Sequence, residues 1–292
     1  MTALLRALAV LPLWFYHALG TGMGWLIYAA SPRYRRILTQ NLSAAGYETV
    51  ALRRAVVAET GKGVAELLPV WFRSQANAAG LMRDVRVGDV IARAQARGKG
   101  IIFVTPHLGC FEVTAQWYTH THGPMTVLFS PPKKGLITPF VMGGRGKPNL
   151  TLATPDMRGI RSLFLALKAG EAVGILPDQA PGRGEGEWAM FFGRPAYTMT
   201  LVERLRQSTD AAVVMAYAER LPGGRGYRGY AEPMPPRLEA ESPARHLNRA
   251  LEGLIRRCPS QYLWGYNRYK VPSGVEAPFK QQQFGVPGDG EK

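Results

Sequence analysis

The chain has 292 residues, 46% of them hydrophobic, which is enough for one large domain or two small ones with a substantial core and argues against wholesale disorder. Its 36 Lys and Arg, 27 of them arginine, outweigh 21 Asp and Glu for a formal net charge of +15. Such a surplus points to an anionic partner, nucleic acid, membrane or acidic protein, although arginine-rich coding is an ordinary alternative. Only Cys110 and Cys258 are present, without a CxxC pair, which excludes a disulfide framework and a cysteine zinc site and fits a reducing compartment.

Residues 7–30 (ALAVLPLWFYHALGTGMGWLIYAA) carry no formal charge, a length sufficient for a helix to span a bilayer. Pro12 can kink that helix, and Gly20, Gly22 and Gly24 weaken it. A cleaved signal peptide and a helix lying in the membrane interface are the alternatives. Arg6 precedes the stretch, while Arg33, Arg35 and Arg36 follow it. The heavier positive flank stays inside, so the remainder is expected in the cytoplasm, behind an anchor over residues 1–32.

Beyond the anchor, residues 48–72 have helical apolar spacing, and residues 89–100 form a short basic helix ending at glycine. Five short apolar runs follow as strands, over 100–105, 125–129, 149–153, 171–177 and 211–219. Helical patterns lie between several of them, over 111–120, 157–170 and 198–209. That alternation predicts one α/β domain over residues 33–272, with a mostly parallel central sheet flanked by helices. Ser242 and Pro243 open a last helix, and residues 273–292 read as a loose tail. The sequence contains no internal repeat and no phosphate-loop motif.

Within VTPHLGCFE (104–112), Pro106 keeps Thr105 extended, so His107 falls at the carboxyl end of a strand, where open α/β sheets bind ligands. A helix is expected to begin near Leu108 to Cys110. Residues five apart on one helix point about 140° away from each other, so a contact between His107 and Glu112 needs His107 in the turn, which Gly109 helps to make. Glu112 would then fix the imidazole tautomer and leave the other ring nitrogen as a base. A surface or capping pair is the plain alternative on spacing alone. No second ligand stands near His107 in a metal-binding pattern, and Cys110 reads as packing rather than as a nucleophile.

A His-x4-Glu turn between strand and helix resembles the glycerolipid and lysophospholipid acyltransferase superfamily. The segment GIRSLFLALKAGEAVGILPDQAPGRGEGEWAMFFGRPAYTMT (159–200) and the late QYLWGYNRYK (261–270) narrow the likeness to the bacterial lipid A biosynthesis acyltransferases, over residues from about 1 to 272. The chain departs from that pattern at Tyr266 and Asn267, where histidine and arginine are frequent, and in the loop preceding Arg145.

This resemblance implies O-acyl transfer from an acyl carrier protein thioester to a hydroxyl of an anionic lipid or glycolipid, at the inner membrane, with the catalytic domain facing the cytoplasm. It implies no metal or organic cofactor, while the lack of a helix-turn-helix, RNA-recognition or zinc motif, with the anchor, argues against a nucleic acid partner. His107 corresponds to the family's base and Glu112 to its partner. Arg145 matches the position that steadies the acyl carbonyl, and Asp178 and Gln179 match further active-site residues. Lys133, Lys134, Lys147, Arg158 and Arg161 surround the expected site as candidate contacts to substrate or carrier protein, or as a solvated basic face. The same motifs leave open another glycolipid, a lysophospholipid or an aminolipid as acceptor, hydrolysis of the thioester, and a non-catalytic membrane-bound basic protein.

Overall fold

The computed structural model describes residues 2–131 and 138–278. Two helices, α1 (Thr2–Ala9) and α2 (Leu13–Ala30), open the chain and are followed by α3 (Pro32–Ala44), α4 (Val50–Ala65), α5 (Leu67–Phe72) and α6 (Gln75–Ala79). The alternating part runs β1 (Met82–Arg86), α7 (Val90–Ala96), β2 (Ile101–Val104), α8 (Phe111–Thr121), β3 (Met125–Leu128), α9 (Thr138–Arg145), β4 (Leu150–Ala153), α10 (Met157–Lys168) and β5 (Ala172–Ile175). A hairpin of β6 (Gly186–Phe191) and β7 (Arg194–Met199) precedes α11 (Leu201–Thr209), β8 (Ala212–Arg220), β9 (Tyr227–Pro233) and α12 (Pro243–Arg257).

Seven strands form one sheet in the order β1-β9-β8-β2-β5-β3-β4, parallel throughout except for the antiparallel pair β8–β9. The mostly parallel sheet expected from the sequence is therefore present. Strands β2 and β5 at its centre are apolar at every position because both faces are covered. Ile102, Val104, Val173, Ile175 and Met215 pack with residues of α10, α11 and α12. Ile101, Phe103, Ala172, Val214 and Ala216 face α7 and α8 instead.

The five expected strands are all found, while β1, β6, β7 and β9 went unread. The β6–β7 turn carries positive φ at both Phe192 (44°) and Gly193 (74°), as a two-residue hairpin turn of the I′ kind requires. Residues 198–199, expected in a helix, finish β7. The helix expected over 48–72 is divided at Glu66 into α4 and α5. Pro69 supplies the reason: it has no N–H for the carbonyl of Ala65.

The 24 uncharged residues do not make one helix. The chain breaks between Ala9 and Leu13, where α1 and α2 meet at a bend of 101°, and no single described helix is long and apolar enough to cross a membrane. Pro12 cannot donate to Leu8 and disfavours helical geometry at Leu11, so it starts α2 rather than continuing α1. The α2 helix buries Leu13, Tyr16, His17, Gly20 and Gly24. It lies so close along α4 that a methyl group at Gly20, Gly24 or Gly61 would strike the opposite backbone. The other side of the pair stays apolar and open to solvent, with Val10 75% and Leu26 68% exposed beside Leu4, Trp14 and Leu19.

A buried ionic cluster ties this N-terminal unit to the sheet. Arg220, at the end of β8, donates to Glu66 from Nε at 2.7 Å and from a terminal nitrogen at 2.5 Å, and also reaches Glu59. The Tyr227 hydroxyl donates to the same Glu66 carboxylate at 2.9 Å, and His17 Nε2 stands 3.3 Å from it. Burial works against ionising Glu66, but the Arg220 guanidinium outweighs it and holds the carboxyl at about 2, below its ordinary 4.5. A depressed carboxylate pKa stabilises the fold above the unfolded value, so this contribution is full above about pH 4.5 and fades as pH falls toward 2. Replacing Arg220 with leucine strands the buried Glu66 carboxylate in the interior, while Glu59 keeps Lys62. It is expected to cost about 3–5 kcal/mol, read as a fall in denaturant midpoint. A change below about 1 kcal/mol would mean that water already reaches the cluster.

Candidate active site

His107 and Asp178 each sit just past the carboxyl end of a strand, β2 and β5. After Val104, the Thr105 N–H still donates to the Ile175 carbonyl at 3.1 Å, and a tight turn follows from Pro106, whose carbonyl accepts from Leu108 at 2.7 Å. Gly109 completes the turn at φ +59°, against the carbonyl of Ala218, where a side chain would collide. Helix α8 starts only at Phe111, which leaves His107 in the turn and Glu112 in the first helical turn.

His107 is held by Asp178. Its backbone N–H donates to one carboxylate oxygen at 2.9 Å, and Nδ1 meets the other at 2.8 Å. An ionised carboxylate only accepts, so Nδ1 carries the proton and Nε2 keeps its lone pair. Asp178 is 2% exposed. Burial opposes its charge, yet the imidazole and the N–H bonds win and keep its pKa below the usual value. The amide nitrogen of Gln179 stands 3.3 Å from His107 Nε2, and the Phe111 ring packs edge-on against the imidazole at 4.8 Å.

This pairing follows from sheet register. Val104 on β2 is paired with Ile175 on the adjacent parallel strand β5. Three residues onward on each strand are His107 and Asp178, side by side at the same edge.

Glu112 does not orient the imidazole, contrary to the expectation from spacing. From the first turn of α8 its carboxylate turns toward α5 and α9, where it accepts from Trp71 Nε1 at 2.9 Å and is ion-paired with Arg145. The two partners direct it away from His107, whose Nδ1 is already taken. Arg145 ends α9 and is wedged over the rings of Phe129, at 4.7 Å, and Trp71, at 5.4 Å. Sequence reading put Arg145 in the site but paired Glu112 with His107 instead.

His107 and the Glu112–Arg145 pair border one cavity of about 590 Å³, a size ordinary for small-molecule sites, with Asp178 behind the imidazole. His107, Glu112, Arg145 and Gln179 are in its wall. Below them it runs between the sheet and the helices α7 and α8, over apolar residues of all seven strands, Gly174 being that of β5.

The basic candidates lie elsewhere. Lys147 donates to the Arg73 carbonyl at 2.6 Å, and burial, then Arg6, lowers its pKa. Arg158 and Arg161 are exposed on α10 and do not line the cavity. Lys133 and Lys134 fall outside the described residues. Cys110 is 2% exposed, and burial pushes its thiol pKa well up, away from the thiolate a nucleophile needs.

Sequence reasoning matched the segment 261–270 without reading what it holds. The Gln261 carbonyl accepts from Gly109, and Leu263 donates to the His107 carbonyl, so this strip clamps both sides of the turn. The Tyr266 hydroxyl accepts from the Ala180 N–H at 3.0 Å, fixing the turn that carries Gln179. Tyr262 is buried beside Asp178; burial first, then that carboxylate, raises its phenol pKa well above 10. Contacts of this kind join positions more than eighty residues apart, and no local pattern announces them.

Against known proteins, a family model described as bacterial lipid A biosynthesis acyltransferase matches residues 1–271. The lipid A biosynthesis lauroyltransferase of Escherichia coli K12 is 28% identical over 279 residues, covering 92% of this chain and 90% of that protein. The lipid A biosynthesis palmitoleoyltransferase of the same strain is 27% identical, covering 87% and 84%. A lipid A biosynthesis acyltransferase of Haemophilus influenzae is 24% identical, covering 94% and 91%. With a strand-end histidine held by a buried aspartate over an apolar cavity, and a family match that runs from its first residue through the closing clamp, the chain belongs to the bacterial lipid A biosynthesis acyltransferases and is an acyltransferase.

Proposed function

We propose that the protein transfers a fatty acyl chain from acyl carrier protein to a hydroxyl of a lipid A precursor at the cytoplasmic face of the inner membrane. The observation that carries this reading is the place of His107, with its Nδ1 locked on Asp178, in the wall of an apolar cavity large enough for an alkyl chain. His107 removes the proton from the lipid hydroxyl as that oxygen attacks the thioester carbonyl. Asp178 stays ionised and stabilises the imidazolium that forms. The carbonyl π bond opens, its electrons move to oxygen, and the tetrahedral centre collapses with loss of the carrier thiolate. His107 returns its proton to that sulfur, so no acyl-enzyme is needed.

Negative charge on the carbonyl oxygen needs a donor, and Arg145 is the candidate. Nε and one terminal nitrogen of its fork are turned to Glu112, which leaves N–H groups on the other terminal nitrogen for the oxyanion. One such donor is worth roughly 3–4 kcal/mol. In this reading Glu112 serves the reaction by holding Arg145.

The exposed apolar side of α1 and α2 would enter the membrane interface, with Arg33, Arg35 and Arg36 beside it meeting anionic headgroups. The acidic surface of a carrier protein and the phosphates of the acceptor are both suited to a chain of net charge +15. Deletion of the gene followed by mass spectrometry of the lipids is the cellular test. A lipid A population lighter by one acyl chain is expected. An unchanged lipid A with a missing species among other glycolipids or phospholipids would move the acceptor to that class.

A further inference from the structure

The apolar cavity extends to both sides of His107, and its two halves are built differently. Toward β3 and β4 the sheet presents the bulky Met125, Leu150 and Leu152, and a side chain at Gly174 would come within 3.0 Å of Val127. Toward β8, β9 and β1 one face of the sheet offers the small residues Ala216, Gly229 and Ala231, with Val85 and Met82 of β1 beyond them. These three project on one face by register, since Ala216 pairs with Ala231 and Ala218 with Gly229 across the antiparallel ladder. The roof there is Val87, in the loop between β1 and α7, and Ile91 of α7, and the lining residues of this wing carry no charge.

This wing ends at a methionine. A side chain at Gly229 would meet the Met82 sulfur at 2.9 Å and its terminal methyl at 3.4 Å, so Met82 occupies the space that the glycine vacates. Met82 is 9% exposed on β1, three strands from β2, roughly 14 Å away at ordinary strand spacing. Methionine is unbranched and soft, and suits a plug better than a rigid wall.

We propose that the wing over Ala216 and Gly229 receives the methyl end of the donor acyl chain, and that Met82 against Gly229 sets the length accepted. This rests on the acyl-transfer reading of the His107 site. A thioester carbonyl beside His107 directs its alkyl chain down into the cavity, and the wing floored by small side chains has the room. Each methylene denied burial is worth about a fourfold change in affinity, so a wing shortened by two carbons shifts preference about fifteenfold.

The test uses the purified full-length chain with acyl carrier protein loaded from decanoyl to stearoyl and a lipid A precursor as acceptor. In parallel, calorimetry with non-hydrolysable acyl-pantetheine ethers of the same lengths reads binding without chemistry. Met82→Ala is expected to move both profiles toward longer chains by two carbons or more, and Gly229→Leu or Ala216→Leu toward shorter ones. Leu150→Ala, in the opposite wing, is expected to leave the optimum unchanged. Should Gly229→Leu fail to fold, Met82→Ala and Ala216→Leu carry the comparison. Profiles unmoved by Met82→Ala and Ala216→Leu, or moved by Leu150→Ala alone, would overturn the assignment. Wild-type protein that binds the ethers with a length optimum but transfers no chain would instead overturn the acyl-transfer reading.

Discussion

Replacing His107 with alanine is expected to lower the turnover of acyl transfer by about 1,000-fold or more while the protein stays folded. The loss is that of the base itself. Proton removal by a positioned side chain contributes typically 10²–10⁴-fold, and a lipid hydroxyl is a poor nucleophile without it. The side chain lies at the cavity wall, not in the core, and the backbone N–H of residue 107 remains to donate to Asp178. Far-ultraviolet circular dichroism and the unfolding midpoint should therefore stay near wild type. Turnover within tenfold of wild type would remove His107 from the chemistry.

Asp178→Asn is expected to lower turnover by about 10³–10⁴-fold, because it changes which nitrogen of His107 holds the proton. In the native pair both oxygens of Asp178 accept from His107, one from the backbone N–H and one from Nδ1. Asparagine keeps one acceptor for the backbone and turns its NH₂ toward Nδ1. That nitrogen then accepts, the proton moves to Nε2, and the base is lost with the geometry intact. Glu112→Gln tests the other carboxylate. Its direct partners are Arg145 and Trp71, so the deficit passes through the oxyanion donor and is expected to stay near 100-fold. Turnover measured for both variants under saturating donor and acceptor decides the matter. A larger loss in Glu112→Gln than in Asp178→Asn would return the orienting role to Glu112.

Much of the fold was legible because local pattern determines it. The central strands β2 and β5 are short apolar runs buried at every position, and the helices between the strands show their own period. The edge strand β1, reading MRDVR with mostly exposed residues, lacks that signature. In the N-terminal stretch the kink at Pro12 could be read from the sequence, but not the seating of α2 on α4 by Gly20, Gly24 and Gly61.

For the site, the strand-end position of His107 could be read from Pro106 and Gly109. Its partner could not. Five residues of sequence separate His107 from Glu112, whereas the pairing with Asp178 depends on the register between β2 and β5, seventy-one residues apart in the chain. Asp178 and Arg145 were identified by resemblance, and the structure supplies what each of them holds. The closing segment was matched by resemblance too, but its clamp on the His107 turn is visible only in three dimensions.

The central claim is that this cavity joins a thioester-bound acyl chain to a lipid hydroxyl in a single direct step. Incubating the purified full-length protein with acyl-loaded carrier protein and a lipid A precursor, and weighing the lipid by mass spectrometry, tests it most directly. The account predicts a precursor heavier by one acyl group, formed in step with release of free carrier thiol. A precursor of unchanged mass while the thiol is released as fast as without any lipid would contradict it.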